Sequence, residues 1–502
     1  MSMSAYTEFI QTTEDIYRLS AIAGHLGWDQ EVLMPQKGGE ARGEMMSWLA
    51  KEKHQKLTSE TYGHLISILE HDSALSEDEK SNVREMKIAY DKAKALPVEF
   101  VAKYAQRRSN ALRAWQEARA KSDFSLFLPH LKELVQMTKE KIAVYPPTET
   151  PYDALLDEFE FGMKVSDYDP LFSGLKGRIV PLLQSIIEAK KHRDTIQLPR
   201  GMVFSIESQT RFCTEVSKRM GFDFDAGRMD QSTHPFSSGL WKGDTRFTTR
   251  FDESDPFSCL YAVMHETGHA LYEQGLPHEY AFCPRGQAVS LGVHESQSRF
   301  WENQIGRTAS FWKVVLPLLK KEFPEIPHWD AESLNLLAND VEPGYIRVEA
   351  DEVTYNLHIM IRYEIEKMIF NENLPLEDIP QVWNSMMKDW FDLDVEDDAN
   401  GCLQDIHWSM GAFGYFPTYT LGNLYASQLL DAMSKEIGDV TTMIESGNWQ
   451  PILEWLRDKI HDHGSLYTPA ELIEHATGQP PTAKPFIEYL EGKYAALYGL
   501  DL

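Results

Sequence analysis

Residues 258–275 read SCLYAVMHETGHALYEQG. Whether His265, Glu266 and His269 form one chemical group on a helix decides how the rest of the chain is read. Asp255-Pro256 supplies an N-cap and a proline for the first helical turn, and Gly275 with Pro277 stops the segment after Gln274. Between those ends the spacing predicts a single helix. On it His265 and His269 stand one turn apart, roughly 40° around the axis, so both imidazoles reach a common point, while Glu266 lies about 60° from His269. Two histidines so spaced, with a glutamate beside them, can hold a catalytic metal ion and place a carboxylate next to its water. The chain has 17 histidines, so chance alone can produce such a pentapeptide and independent support is needed.

That support is a third ligand. The stretch LGVHESQSRFWEN puts Glu295 twenty-six residues beyond His269, on what reads as the next helix. Two histidines and one glutamate, with an open position for water, are a common catalytic zinc set; the neighbouring His294 competes for the role, and Glu295 is the better match. A di-iron reading of Glu266-x-x-His269 needs a second Glu-x-x-His helix. The other occurrence, Glu325-Ile326-Pro327-His328, is flanked and interrupted by prolines, which disfavours a helical pair.

Working outward, the 502 residues include 42% apolar and 25% charged residues, ordinary for a globular chain with a large core. A formal charge of −28 repels phosphate backbones and anionic lipid, which argues against nucleic acid and membrane as partners. The start shows neither a basic region followed by an apolar run nor any spanning stretch, so a cytoplasmic location is expected. Cys213, Cys259, Cys283 and Cys402 lack C-x-x-C spacing and read as buried thiols, not as disulfides or a zinc ribbon.

Most segments have helical periodicity, as in residues 123–145 and 353–370. Ser76 to Glu79 and Thr468 to Glu471 read as capping boxes. The exception is GLWKGDTRFTTRF (239–251), whose alternation around Asp244, Arg246 and Thr248 predicts a strand and hence a short sheet beside the histidine helix. No flexible linker separates independent domains, so residues 1–502 read as one catalytic unit, bilobal at most.

Six short stretches, in order, resemble the motifs of the carboxypeptidase Taq family of metallopeptidases. They are His234-Pro235-Phe236; Asp244-x-Arg246-x-Thr248; His265-Glu266-x-x-His269; His294-Glu295-Ser296-Gln297; Ile346-Arg347-Val348-Glu349-Ala350-Asp351; and Gly401-x-x-Gln404-Asp405-x-His407-Trp408. With residues 28–50 and 413–426 the resemblance spans nearly the whole chain. It implies a mainly helical fold with a deep groove, a small antiparallel sheet at the active site, a homodimer, and a broad-specificity metallocarboxypeptidase. Such an enzyme removes residues one at a time from the free C-terminus of peptides, using one divalent ion per chain, with Zn2+ expected and Co2+ or Mn2+ as alternatives.

In that reading His265, His269 and Glu295 hold the ion, and Glu266 takes a proton from the attacking water and delivers it to the leaving amine. Arg347, with Arg246 second, pairs with the terminal carboxylate, since a guanidinium makes two parallel hydrogen bonds to it. The strand of Asp244, Arg246 and Thr248 offers an edge to an extended peptide. His234, His407, Tyr415 and Tyr419 are candidate donors to the oxyanion. The competing functions are a metallo-oligopeptidase or aminopeptidase with the same metal core, and a non-catalytic helical peptide-binding protein.

Overall fold

Apolar residues recurring at three- and four-residue intervals fold into twenty α-helices and one three-stranded sheet in the computed structural model, which describes residues 2–193, 196–241 and 243–501. The two periodic segments noted above become the helices Phe124–Val144 and Tyr355–Asn371. At Ser76 the capping box closes in both directions, with Glu79 N–H donating to the Ser76 hydroxyl and Ser76 N–H to the Glu79 carboxylate. At Thr468 the hydroxyl and the backbone N–H both turn to Glu471, at 2.7 and 2.9 Å. All four cysteines are free and buried. None of the described helices is long and apolar enough to cross a membrane.

The strand predicted from alternation is Asp244–Thr249. We label the strands in chain order β1 (Gly227–Gln231), β2 (Ser237–Trp241) and β3 (Asp244–Thr249). Two expectations are corrected here. The sheet is mixed, not antiparallel: its order is β1-β3-β2, with β1 parallel and β2 antiparallel to β3. Only two residues separate β2 from β3, too few for a parallel crossover, so these strands pair antiparallel, whereas the chain from β1 passes through β2 before it reaches β3. As the central strand, β3 has both edges paired and cannot accept a peptide strand; the free edges belong to β1 and β2.

Apolar side chains gather into two cores. A small one unites Phe9, Ile16, Tyr62, Leu65, Leu69, Val83 and Met86 of the N-terminal helices Ser2–Val32, Glu60–Leu69 and Glu77–Ala95. A much larger one runs from Ala111 to Tyr494 and contains the fully buried Trp301 and Trp312. Each such large apolar side chain contributes roughly 1.5–3 kcal/mol when removed from water. Buried Arg285 joins the two parts, donating to Asp78 (2.5 Å) on one side and to the carbonyls of Asp462 and His463 (3.1 and 2.8 Å) on the other. Between the N-terminal helix and β2 lies a cavity of about 340 Å3, lined among others by Tyr17, Lys53, Gly239, Trp241, Glu273 and Gln287.

Candidate metal centre

The helix Pro256–Gly275 begins as its sequence predicts: the Asp255 carboxylate accepts from the N–H groups of Phe257 (2.9 Å) and Ser258 (3.3 Å), with Pro256 in the first turn. Its partner is the helix Leu291–Arg299, capped by Ser290 and continued by a π-helical turn, Phe300–Ile305. The helices come close because Gly268 has no side chain; a Cβ there would lie 2.5 Å from the Gln297 carbonyl oxygen. On the opposite side Gly422, in the helix Pro417–Ile437, leaves the space that the Glu295 methylenes fill. The first of these close approaches sets the Glu295 helix against the helix of the histidines, and the second seats the Glu295 side chain on the helix Pro417–Ile437.

The donor atoms converge. His265 Nε2 lies 3.6 Å and His269 Nε2 3.4 Å from Glu295 Oε2, and the three ligand atoms all fall within 4.8 Å of one another. The far nitrogen of each ring is already engaged, His265 Nδ1 with Glu302 Oε2 (2.9 Å) and His269 Nδ1 with His294 Nδ1 (2.6 Å). That leaves each Nε2 facing the shared point, with its lone pair available there when Nδ1 carries the ring proton, which is how a carboxylate or other partner orients a metal-ligating imidazole. Glu266 is 7% exposed and its Oε2 is buried with no partner among the described residues. A polar group so placed is unfavourable unless something else occupies the space before it. The residues therefore fit a divalent ion with nitrogen and oxygen ligands.

Charge supports the same geometry. Arg299 donates to Glu295 Oε1 (2.8 Å) and Glu302 Oε2 (3.3 Å), and Arg307 to Glu302 Oε1 (3.2 Å). Burial works to raise the Glu295 carboxyl, but Arg299 and the two histidines hold it well below the usual carboxylate range. Burial pushes Glu266 up to about 7, opposed by His265. Burial likewise brings His269 down to about 3, so its ring is neutral and its nitrogen free to ligate.

The other predicted residues fall into separate places. Arg347, 6% exposed, donates from Nε and Nη2 to Asp405 Oδ1 (3.0 and 2.7 Å) and from Nη1 to the Tyr355 hydroxyl (3.1 Å). Arg362, fully buried, donates to the other oxygen of Asp405 at 2.7 Å. Tyr419 lies under the Arg347 guanidinium, 5.1 Å to its ring centre, and its hydroxyl meets His407 Nε2 at 3.3 Å; Tyr415 packs beside it at 5.4 Å. Burial lowers His407 to about 4, so it adds no charge to this wall near neutral pH.

Arg246 is committed to Asp244 on its own strand through two 2.7 Å bonds, and His25 reaches the same carboxylate at 3.2 Å. The Thr248 hydroxyl closes the β1–β2 connection against Ser232 and Phe236. His234 is exposed in that connection, with its backbone oxygen bonded to Ser232. The segment Glu325–His328 is a non-helical turn, so no second Glu-x-x-His helix forms there.

Several residues central to this geometry escaped the sequence reading. Arg299 and Glu302 follow Glu295 at i+4 and i+7, on one helical face, which is a signal the sequence contained. Tyr355 had no such signal, yet it links the two regions: Arg299 stacks over its ring at 4.4 Å while its hydroxyl accepts from Arg347.

A family model described as Carboxypeptidase Taq (M32) metallopeptidase matches residues 8–494. The chain is 42% identical over 509 residues to thermostable carboxypeptidase 1 of Thermus thermophilus, covering 99% of each chain. It resembles the crystal structure of an M32 carboxypeptidase from Deinococcus radiodurans at TM-score 0.96 and 34% identity, over 99% of this chain and 100% of that one. It also resembles Trypanosoma cruzi metallocarboxypeptidase 1 at TM-score 0.95 and 37% identity, over 98% of this chain and 99% of that one.

Proposed function

This chain belongs to the carboxypeptidase Taq (M32) family of metallopeptidases and is a peptide hydrolase, and we propose that it uses the site just described to remove residues one at a time from the free C-terminus of peptides, with broad specificity. The observation that carries the reading is the convergence of His265 Nε2 and His269 Nε2 on Glu295 Oε2, with the unpartnered Glu266 oxygen beside them.

In this reading His265, His269 and Glu295 hold one divalent ion, which the two-nitrogen, one-carboxylate set suits to Zn2+, with Co2+ or Mn2+ as alternatives. When bound, such an ion acidifies water and polarises a carbonyl. Glu266 accepts the proton of the attacking water and returns it to the leaving amine, a double duty served by a carboxyl that burial holds near neutral pH. Tyr415 and Tyr419 are the donors assigned to the developing oxyanion, with His407 orienting the Tyr419 hydroxyl. An extended peptide would add to a free edge of the sheet, and β2, which borders the 340 Å3 cavity, is the edge we assign. We extend the proposal to a homodimer, which the family resemblance implies, and to a cytoplasmic location.

Recognition of the C-terminus is assigned to Arg347. Arg347 and Arg362 share one carboxylate, Asp405, so two buried cations face one anion and the trio carries a charge of +1. A substrate carboxylate would balance it, and Arg347 is the less buried of the two cations. Replacing Arg347 by alanine should lower kcat/KM for a free-acid peptide by about two orders of magnitude, the size expected for losing a charge-assisted pair in a dry site. The same peptide with an amidated C-terminus, poor at the start, should change little. Parallel loss on both peptides would make Arg347 structural, and equal cleavage of both by the native protein would point to an oligopeptidase.

A further inference from the structure

We propose that His294 and Glu273 form a positioning relay that fixes the tautomer of His269; the proposal rests on the reading of His269 as a ligand. The geometry leaves one consistent arrangement of protons. If His269 Nε2 offers its lone pair to an ion, the single proton of the neutral ring sits on Nδ1. That nitrogen faces His294 Nδ1 at 2.6 Å, a contact that requires one proton between the two atoms. His294 Nδ1 is therefore the acceptor, and the proton of His294 sits on Nε2. There it meets Glu273 Oε1 at 2.8 Å, which accepts it. The chain of bonds ends at the carboxylate, which accepts the last N–H and has nothing further to donate.

His294 thus supplies what Glu302 supplies to His265, but through an extra ring. Glu302 reaches His265 Nδ1 directly from the π-helical turn. Glu273, one turn beyond His269 on the same helix, bonds instead to the histidine standing between helices. Strand β2 covers its carboxylate: a Cβ on Gly239 would overlap Glu273 Oε2, so the bare backbone of Gly239 is what lets the carboxylate lie in place. Outer-sphere partners of this kind change metal affinity about 10–100-fold.

The test measures Zn2+ affinity of metal-stripped, full-length protein by competition with a chromophoric chelator. His294→Leu and Glu273→Leu should each weaken binding about 10–100-fold. His294→Asn, whose side-chain oxygen stands where Nδ1 stood, and Glu273→Gln, which keeps an acceptor oxygen, should stay within about threefold of the native protein. Gly239→Ala, which touches neither histidine, should weaken binding by displacing Glu273. A packing role alone predicts the reverse ranking, with leucine tolerated at least as well as asparagine. Nitrogen-15 spectra of the metal-free protein should show His269 protonated at Nδ1, and His294→Leu should give a mixture of tautomers. Leucine variants that bind Zn2+ as tightly as the native protein, or asparagine as weak as leucine, would overturn the relay. Should His294→Leu not fold, Glu273→Leu decides, since it leaves both rings intact. His269→Ala separates the two readings: if it retains Zn2+ at native affinity, the ligand assignment itself falls, and the relay with it.

Discussion

Glu266→Gln should keep its metal and its helix while kcat/KM on a free-acid peptide falls by about three to four orders of magnitude, near the upper end of what a positioned acid–base group contributes. The substitution preserves the shape of the side chain but removes its capacity to take a proton. The loss should be large because Glu266 has no substitute. Its Oε2 makes no bond to any described residue, and the neighbouring carboxylates are already paired, Glu295 with Arg299 and Glu302 with Arg299 and Arg307. Both are also held below the usual carboxylate range despite burial, so they are poor bases. Metal content by elemental analysis must accompany the kinetics. A variant with its metal and near-native turnover would show that the proton goes elsewhere.

Glu295→Ala should weaken metal binding by about two to three orders of magnitude. Structural zinc sites bind with about 10–16 kcal/mol spread over four ligands, so one ligand accounts for roughly 3–4 kcal/mol. Removing this carboxylate also leaves Arg299 beside the two histidines with only Glu302 to balance it, which disfavours a second cation nearby. His294→Ala should cost less, about 10–100-fold, because its ring touches His269 and not the convergence point. Dialysis against a chelator followed by elemental analysis ranks the two. Equal retention would transfer the third-ligand role to His294.

The helix of His265, Glu266 and His269 was legible because everything that defines it is local. Asp255 and Pro256 open it, Gly275 closes it, and a fixed rise per residue brings two side chains four apart onto one face. The strand Asp244–Thr249, the capping at Ser76, and the failure of Glu325–His328 to become a helix were readable for the same reason. The preference for Glu295 over its neighbour drew on ligand chemistry, and the structure brings that side chain, not His294, to both Nε2 atoms.

What lies between elements was not legible. Alternation in β3 predicts a strand but not its neighbours, because strand pairing depends on where the chain returns; the sheet proved mixed with β3 at its centre. Arg246 seemed available until folding showed it bound to Asp244 on the same strand. Asp405 joins Arg347 and Arg362, 58 and 43 positions away, and Tyr355 joins that cluster to Arg299 through contacts that no periodicity encodes. The sequence by itself determined the helices, their ends and the chemical identity of the three converging donors, since these follow from backbone geometry over a few residues and from side-chain type. Only the tertiary structure decided which ring nitrogens face inward, which cations are already paired and which sheet edge is open, because each depends on the partner that long-range packing brings within hydrogen-bonding distance.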